Sequence, residues 1–289
     1  MNLTVPIEEG EIHATIRAPK GASTGCAIVY YHGGGMLYGD RDDLPEPYME
    51  MIEDAGHTLI AMDYPLCPET ALERSLALSL QALCHVVERV LPDLCCTRYA
   101  LFGRSAGAYL ALKLADRMRV EHPQLLQPSA IWDFYGYWDL ADPFTNTPNA
   151  HYLTLPAVDE ATAVNACGPS GSLVLHGPKA TRYALYVHAR QQGLWAKMLG
   201  ITDANASDLS LSPANLARLP PVFITASTGD NDVPLKQSKT LMRSTPRHRM
   251  HQVYYLEHDF DRDTSNPAGS ETYRDALAYL DEALEPTER

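Results

Sequence analysis

A chain of 289 residues, 45% hydrophobic and 20% charged, can bury a large core and fits one α/β domain carrying an insertion. Its 36 acidic against 23 basic residues give a formal charge of −13, which opposes binding to nucleic acid and attraction to anionic membranes. No apolar run is long enough to span a bilayer, and residues 1–6 carry no signal-peptide pattern, which leaves a cytoplasmic protein or one whose leader has been removed.

The first strand-like segment falls around residues 12–17. Residues 27–31 (A-I-V-Y-Y) are β-branched and aromatic and read as a strand running into His32-Gly33-Gly34-Gly35. Three consecutive glycines let the main chain approach a ligand closely and turn its amides toward it. His32 is read as shaping this loop, not as an acid or base.

Residues 99–102 (Y-A-L-F) form a short apolar run, followed by Gly103-Arg104-Ser105-Ala106-Gly107 and then by the helix formers of 108–115. A lone G-x-S-x-G is a weak signal. Here it sits at a strand-to-helix junction, the context a nucleophile elbow requires. The turn is sharp, so a Cβ at the flanking glycines would meet neighbouring backbone. The helix starting after Ser105 directs its free N–H groups at whatever reacts there.

Residues 131–135 read as the next strand. From about 140 to 211 the chain is rich in Pro, Asn, Thr and Gly, with helical pieces such as 183–190 and no strand signal. A stretch of that length in a compact domain reads as a functional lid, the alternative being a run of surface helices. The expected organisation is therefore a core of 1–139 and 212–289 with a cap at 140–211. Tyr38, Tyr135, Tyr186 and Trp195, with Tyr137, are candidate pocket residues, though each is read more readily as core.

Residues 222–226 (V-F-I-T-A) form another strand-like run, ahead of a loop with two acids, Asp230 and Asp232. Asp230 directly follows Gly229 at the strand exit and is the preferred partner for a base; Asp232 is read as a cap for a helix starting near Leu235. Residues 253–256 read as a last strand leading into Glu257-His258-Asp259-Phe260. His258 lies just past that strand, whereas His248 and His251 lie in or before it. An exposed edge near Val253 would be free to pair two subunits as a homodimer.

A serine hydroxyl is a poor nucleophile unless a base takes its proton and donors hold the oxyanion it creates. The order Ser105, Asp230, His258 matches the chain order of a hydrolase triad on an α/β sheet. Alternating strand and helix signals argue for a mostly parallel sheet with helices on both faces.

These residues resemble the hormone-sensitive-lipase-like branch of the α/β-hydrolases. The likeness rests on His32 to Gly35 with Gly39 beyond, on Asp63-Tyr64-Pro65-Leu66-Cys67-Pro68-Glu69 against a D-Y-R-L-A-P-E-like stretch, on Leu219-Pro220-Pro221, and on His258-Asp259-Phe260 against an H-G-F-like loop. The resemblance implies an α/β-hydrolase fold with a small helical cap, no cofactor, and a small-molecule ester of short-to-medium acyl length as substrate. It implies an oxyanion hole built from the amides of Gly34 and Gly35; Ala106 joins them by its place after the nucleophile. The sequence departs from the family at Arg104 (usually an acid), Ala108, Pro65, Cys67 and Asp259 (usually Gly), which bears on substrate choice. The long N-terminal cap of many members is not evident.

Amidase, lactonase or peptidase chemistry would use the same triad, and a non-catalytic ligand-binding protein on this fold would be expected to lack His258. The six cysteines (26, 67, 84, 95, 96, 167) fit neither a zinc site nor a disulfide scaffold and read mostly as buried free thiols in a reducing compartment. Residues 259–263 faintly resemble a calcium loop, but Thr264 stands where glycine is needed and Ser270 where a bidentate Glu is needed, so no metal is read.

Overall fold

β3 (Cys26–Tyr31) is buried at all six positions, as befits a strand covered on both faces. It runs parallel to β4 (Thr58–Met62) on one side and β5 (Arg98–Arg104) on the other, with Val29 level with both Ile60 and Leu101. β6 (Ala130–Phe134), β7 (Val222–Ser227) and β8 (His248–Val253) extend the sheet in parallel beyond β5. Beyond β4 the direction reverses: β2 (Gly10–Arg17) pairs antiparallel with β4, and β1 (Asn2–Ile7) antiparallel with β2. The order is thus β1-β2-β4-β3-β5-β6-β7-β8 in this computed structural model, which describes residues 1–285.

Side chains alternate across the sheet. Ala27, Val29 and Tyr31 enter one core layer, which is covered by the helices Leu72–His85 and Ala106–Glu121. Ile28 and Tyr30 enter the other, covered by Glu46–Asp54 and Pro267–Leu284. The parallel strands all end on one edge of the sheet, where ligands of open α/β sheets bind. Ser105 follows β5 there, Asp230 lies past β7, and His258 lies past β8.

The core strands fall close to where the sequence places them, with three corrections. β1 precedes the first expected strand and pairs its whole length with β2, its burial alternating too weakly to declare a strand. β4, a fully buried TLIAM run, carries no alternation that would separate it from a helix segment. β8 ends at Val253, earlier than expected, because Tyr255 takes a left-handed φ of 59° and turns the chain. His248 and His251 therefore lie within the strand, and β8 is an edge strand.

Between β6 and β7 the described chain adds no strand to the sheet. It forms short turns and helices, the longest being Lys179–Gln192, which ends at Gly193 with φ 64°. A paired bridge between Gly39 and Gly177 joins this segment to the chain after the triple glycine (N···O 2.6 and 3.0 Å). All six cysteines are free; Cys26, Cys67 and Cys96 are buried, but Cys84 and Cys167 are only half-buried and Cys95 is exposed.

Candidate active site

Ser105 occupies the N-cap of the helix Ala106–Glu121 with φ 53° and ψ −116°, a conformation that a residue with a side chain rarely adopts. Its surroundings explain the flanking glycines. A Cβ on Gly103 would lie 2.0 Å from the Gly107 carbonyl oxygen, and one on Gly107 would lie 2.0 Å from that of Tyr31. The elbow can be packed this tightly against β3 only without those side chains.

His258 reaches Ser105 from the loop after β8, with Nε2 2.8 Å from the serine Oγ. Its Nδ1 lies 2.7 Å from Oδ2 of Asp230. The other oxygen of Asp230 accepts from the amides of Asp232 (2.8 Å) and Val233 (2.9 Å), so the carboxylate is fixed before it meets the imidazole. Ser227 ties the acid and base loops together: its hydroxyl donates to the Leu256 carbonyl at 2.6 Å and accepts from the amides of Gly229 and Leu256 at 3.1 Å. Burial disfavours an imidazolium at His258, yet the negative charge of Asp230, with Asp232 and Asp259 farther off, outweighs it and raises the pKa to about 9. Asp259 is held well below the usual carboxylate range: burial opposes its charge, but His258 and Arg262 favour it.

The triple-glycine loop faces the same point. Gly34 and Gly35 have φ of 105° and 60°, so both are glycines by necessity. Among the described residues no hydrogen bond uses the amides of Gly34, Gly35 or Ala106. His32 is buried beneath this loop, its Nδ1 2.7 Å from the Gly33 carbonyl and its ring stacked on Tyr64 at 4.2 Å. Tyr64 in turn donates to the carbonyl of His32 at 3.0 Å.

Ser105, His258, Gly34 and Gly35 open into a cavity of about 130 Å³, walled by Tyr38 and Tyr186 and by residues of the 140–211 segment. Three of the sequence-predicted pocket residues, Tyr135, Trp195 and Tyr137, are elsewhere. Tyr135 sits under the site, its ring 4.8 Å from that of His258 and its hydroxyl bound to Asp261. Trp195 is buried against Tyr137 and donates its Nε1 to the Gly35 carbonyl at 2.9 Å, bracing the loop from behind. Tyr137 is core. Tyr152, Tyr183, His151, Lys179 and Asn231 also line the cavity and were not singled out by sequence, because nothing local marks a side chain that reaches the site from a distant segment.

Asp232 is the second correction. The helix Lys236–Ser244 has no side-chain cap. Asp232 instead accepts from the hydroxyls of Tyr152 (2.9 Å) and Tyr186 (2.8 Å) and pairs with Arg190 at 3.0 Å. It fastens the segment over the cavity to the acid loop. The acids of 259–263 do not converge: Asp259 turns to Arg262, Asp261 to Arg104 and Asp263 to Ser265.

An eight-stranded sheet in this order, with a Ser–His–Asp array at the carboxyl ends of its strands, defines a protein of the α/β-hydrolase class. The family profile described as alpha/beta hydrolase fold matches residues 28–260, and the chain belongs to this family, in its hormone-sensitive-lipase-like branch. It is similar to an alpha/beta hydrolase superfamily protein from Enterococcus faecalis, with a TM-score of 0.85, 32% identity and 98% of each chain covered. It is 34% identical over 133 residues to a non-reducing polyketide synthase of Penicillium rubens, a match covering 42% of this chain but only 5% of that much longer protein. It is 32% identical over 143 residues to an acetyl esterase of Salmonella schwarzengrund, covering 48% of this chain and 43% of the relative.

Proposed function

We propose that this protein is a serine hydrolase of carboxylic esters, with short acyl chains preferred. The observation that carries the reading is the continuous array from Asp230 through His258 to Ser105, opening on a cavity lined by Gly34 and Gly35, whose amides, like that of Ala106 next to the serine, are unengaged among the described residues. In the neutral imidazole, Nδ1–H donates to Asp230 and Nε2 accepts the Ser105 hydroxyl. As Oγ attacks the ester carbonyl, Nε2 takes its proton, and Asp230 holds the tautomer and stabilises the imidazolium. The carbonyl oxygen becomes an oxyanion held by the amides of Gly34, Gly35 and Ala106; losing one such donor typically costs about 2.7–4 kcal/mol. His258 then protonates the leaving alcohol, and the acyl group stays on Ser105. Water, giving its proton to the same histidine, releases the acid.

The cavity supports a small acyl group, being well under the roughly 300–1,000 Å³ of pockets for drug-sized ligands. The Salmonella relative is named an acetyl esterase, which agrees with this size. The test is hydrolysis of p-nitrophenyl esters from acetate to palmitate by wild type and Ser105→Ala. Activity that is highest at two to four carbons and lost in Ser105→Ala is the expected result. A folded protein inactive on every chain length would overturn the ester reading in favour of amides, lactones or ligand binding.

A further inference from the structure

Two of the departures from the family pattern, Arg104 beside the nucleophile and Asp259 beside the base, lie at or near the two ends of one chain of charges. Arg104 is 1% exposed. Its Nη2 donates to Asp261 at 2.9 Å, its Nε to the Tyr135 hydroxyl at 2.7 Å, and its Nη1 lies 3.3 Å from Asp43. Asp43 also lies 3.6 Å from Arg262, and Arg262 donates to Asp259 at 2.7 Å. The sequence Asp261–Arg104–Asp43–Arg262–Asp259 therefore alternates in sign from end to end.

Two of the three carboxylates on this path have further donors. Asp261, fully buried, accepts from Tyr135 at 2.7 Å and Tyr273 at 3.0 Å; Asp43 accepts from Tyr30 at 2.5 Å. The members come from three different segments: the elbow, the chain after the triple glycine, and the loop that carries His258. Tyr135 closes the device, since its hydroxyl is shared by Arg104 and Asp261 while its ring lies against the imidazole. A guanidinium fork can bind Tyr135, Asp261 and Asp43 at once; a carboxylate at position 104 would stand among two others of its own sign.

We propose that Arg104 is a positioning residue that, through Asp261 and Tyr135, fixes the imidazole of His258 relative to Ser105. The inference rests on the serine-hydrolase reading above, so its test does not depend on ester turnover. A fluorophosphonate reacts at Ser105 by forming an Oγ–P bond as fluoride leaves and His258 takes the proton. Its labelling rate, followed from pH 5 to 10, reports how well serine and base are aligned.

Arg104→Lys keeps the charge but not the fork; Tyr135→Phe removes one hydroxyl and no charge. Both are expected to melt as single cooperative units, to label at least about tenfold more slowly than wild type, and to show a displaced pH midpoint. If Arg104→Lys does not fold, Tyr135→Phe decides alone, because a buried phenyl ring in place of a phenol leaves no unpaired charge. Folded variants that label at the wild-type rate with the wild-type midpoint would overturn the proposal and leave the chain of charges as a stabiliser of the fold. A wild type that labels but hydrolyses no ester overturns only the substrate assignment, with the variants still deciding this one. A wild type that does neither overturns both.

Discussion

Arg182 and Glu69 form a two-pronged ion pair, Nη1 to Oε1 at 2.8 Å and Nη2 to Oε2 at 3.0 Å, with both side chains almost wholly inaccessible. The guanidinium also donates to the carbonyls of Leu37, Cys67 and Ala166, and Glu69 accepts from the Gly168 amide at 2.5 Å. Every strong donor and acceptor is thus matched, and the pair joins the helix Lys179–Gln192 to the segment beside the triple-glycine loop. Removing one partner leaves a buried uncompensated charge, typically at a cost of about 3–5 kcal/mol. Arg182→Met should lose stability on that scale in urea denaturation. It should also raise KM, because Tyr186, one turn further along the same face, walls the cavity.

Asp230 and Asp232 are two residues apart and do different work. Asp230→Asn should lower kcat by about 10⁴, as expected when the orienting acid of a triad is neutralised. Its melting temperature, compared above about pH 9 where His258 is neutral in both proteins, should stay near wild type. Asp232→Asn should do the reverse. It weakens an anchor formed with Tyr152, Tyr186 and Arg190, so it should cost stability and cost kcat far less. Steady-state kinetics and thermal melts of the two variants separate the roles. A dead Asp232→Asn beside a full-rate Asp230→Asn would reassign the acid.

The array itself was legible because Ser105 and Asp230 each sit at the exit of a short apolar strand, and because the run from Val253 to Leu256 pointed to His258 although β8 ends at the first residue of that run. Ser105 follows β5, Asp230 follows β7, and His258 stands five residues past β8. What lay beyond reach were contacts between segments distant in sequence. Asp232 looks like a helix cap locally, and only the fold brings Tyr152, Tyr186 and Arg190 to it. Tyr135 and Trp195 look like pocket aromatics, and only the packing shows that both support the site from behind. The departures at 104 and 259 were visible as departures, but their shared charge chain appears only when three loops are brought together.

Activity and stability should respond to pH in opposite directions. With its pKa at about 9, His258 becomes a competent base as the pH rises, so log kcat/KM should climb with unit slope and level off near pH 9. Asp230→Asn removes the main charge that raises this pKa, and the midpoint should move down toward the ordinary histidine value of about 6.5. For stability, the folded pKa of His258 lies above its unfolded value. Its contribution is complete below about pH 6.5 and is lost as the pH rises through about 9. Asp133 acts with the same sign at lower pH: burial raises its carboxyl pKa to about 7, so the native state binds the extra proton between about pH 4 and 7. Melting temperature should therefore fall between pH 5 and 9 while activity rises, and Asp133→Asn should flatten the acidic half of that fall. Parallel rather than opposed profiles would contradict the assignment of His258 as the titrating base.

The elbow glycines predict a steep contrast between two chemically identical substitutions. In Gly107→Ala the new methyl group would lie 2.0 Å from the Tyr31 carbonyl oxygen and 2.5 Å from that of His32, both main-chain atoms at the end of the central strand. Backbone of a fully buried strand cannot yield as the tip of a side chain can, so the elbow helix must move instead. The cost should reach about 3 kcal/mol or more, the upper end for overpacking. It should also separate Ser105 from His258, so kcat should fall in the protein that remains folded. At Gly21 nothing lies within 4 Å of the same methyl group and φ is ordinary, so Gly21→Ala should be neutral, or stabilising by up to about 1 kcal/mol through the unfolded chain. Differential scanning calorimetry of the two variants tests the pair. Equal melting temperatures would mean that the contact between the elbow and β3 is looser than the strand register requires.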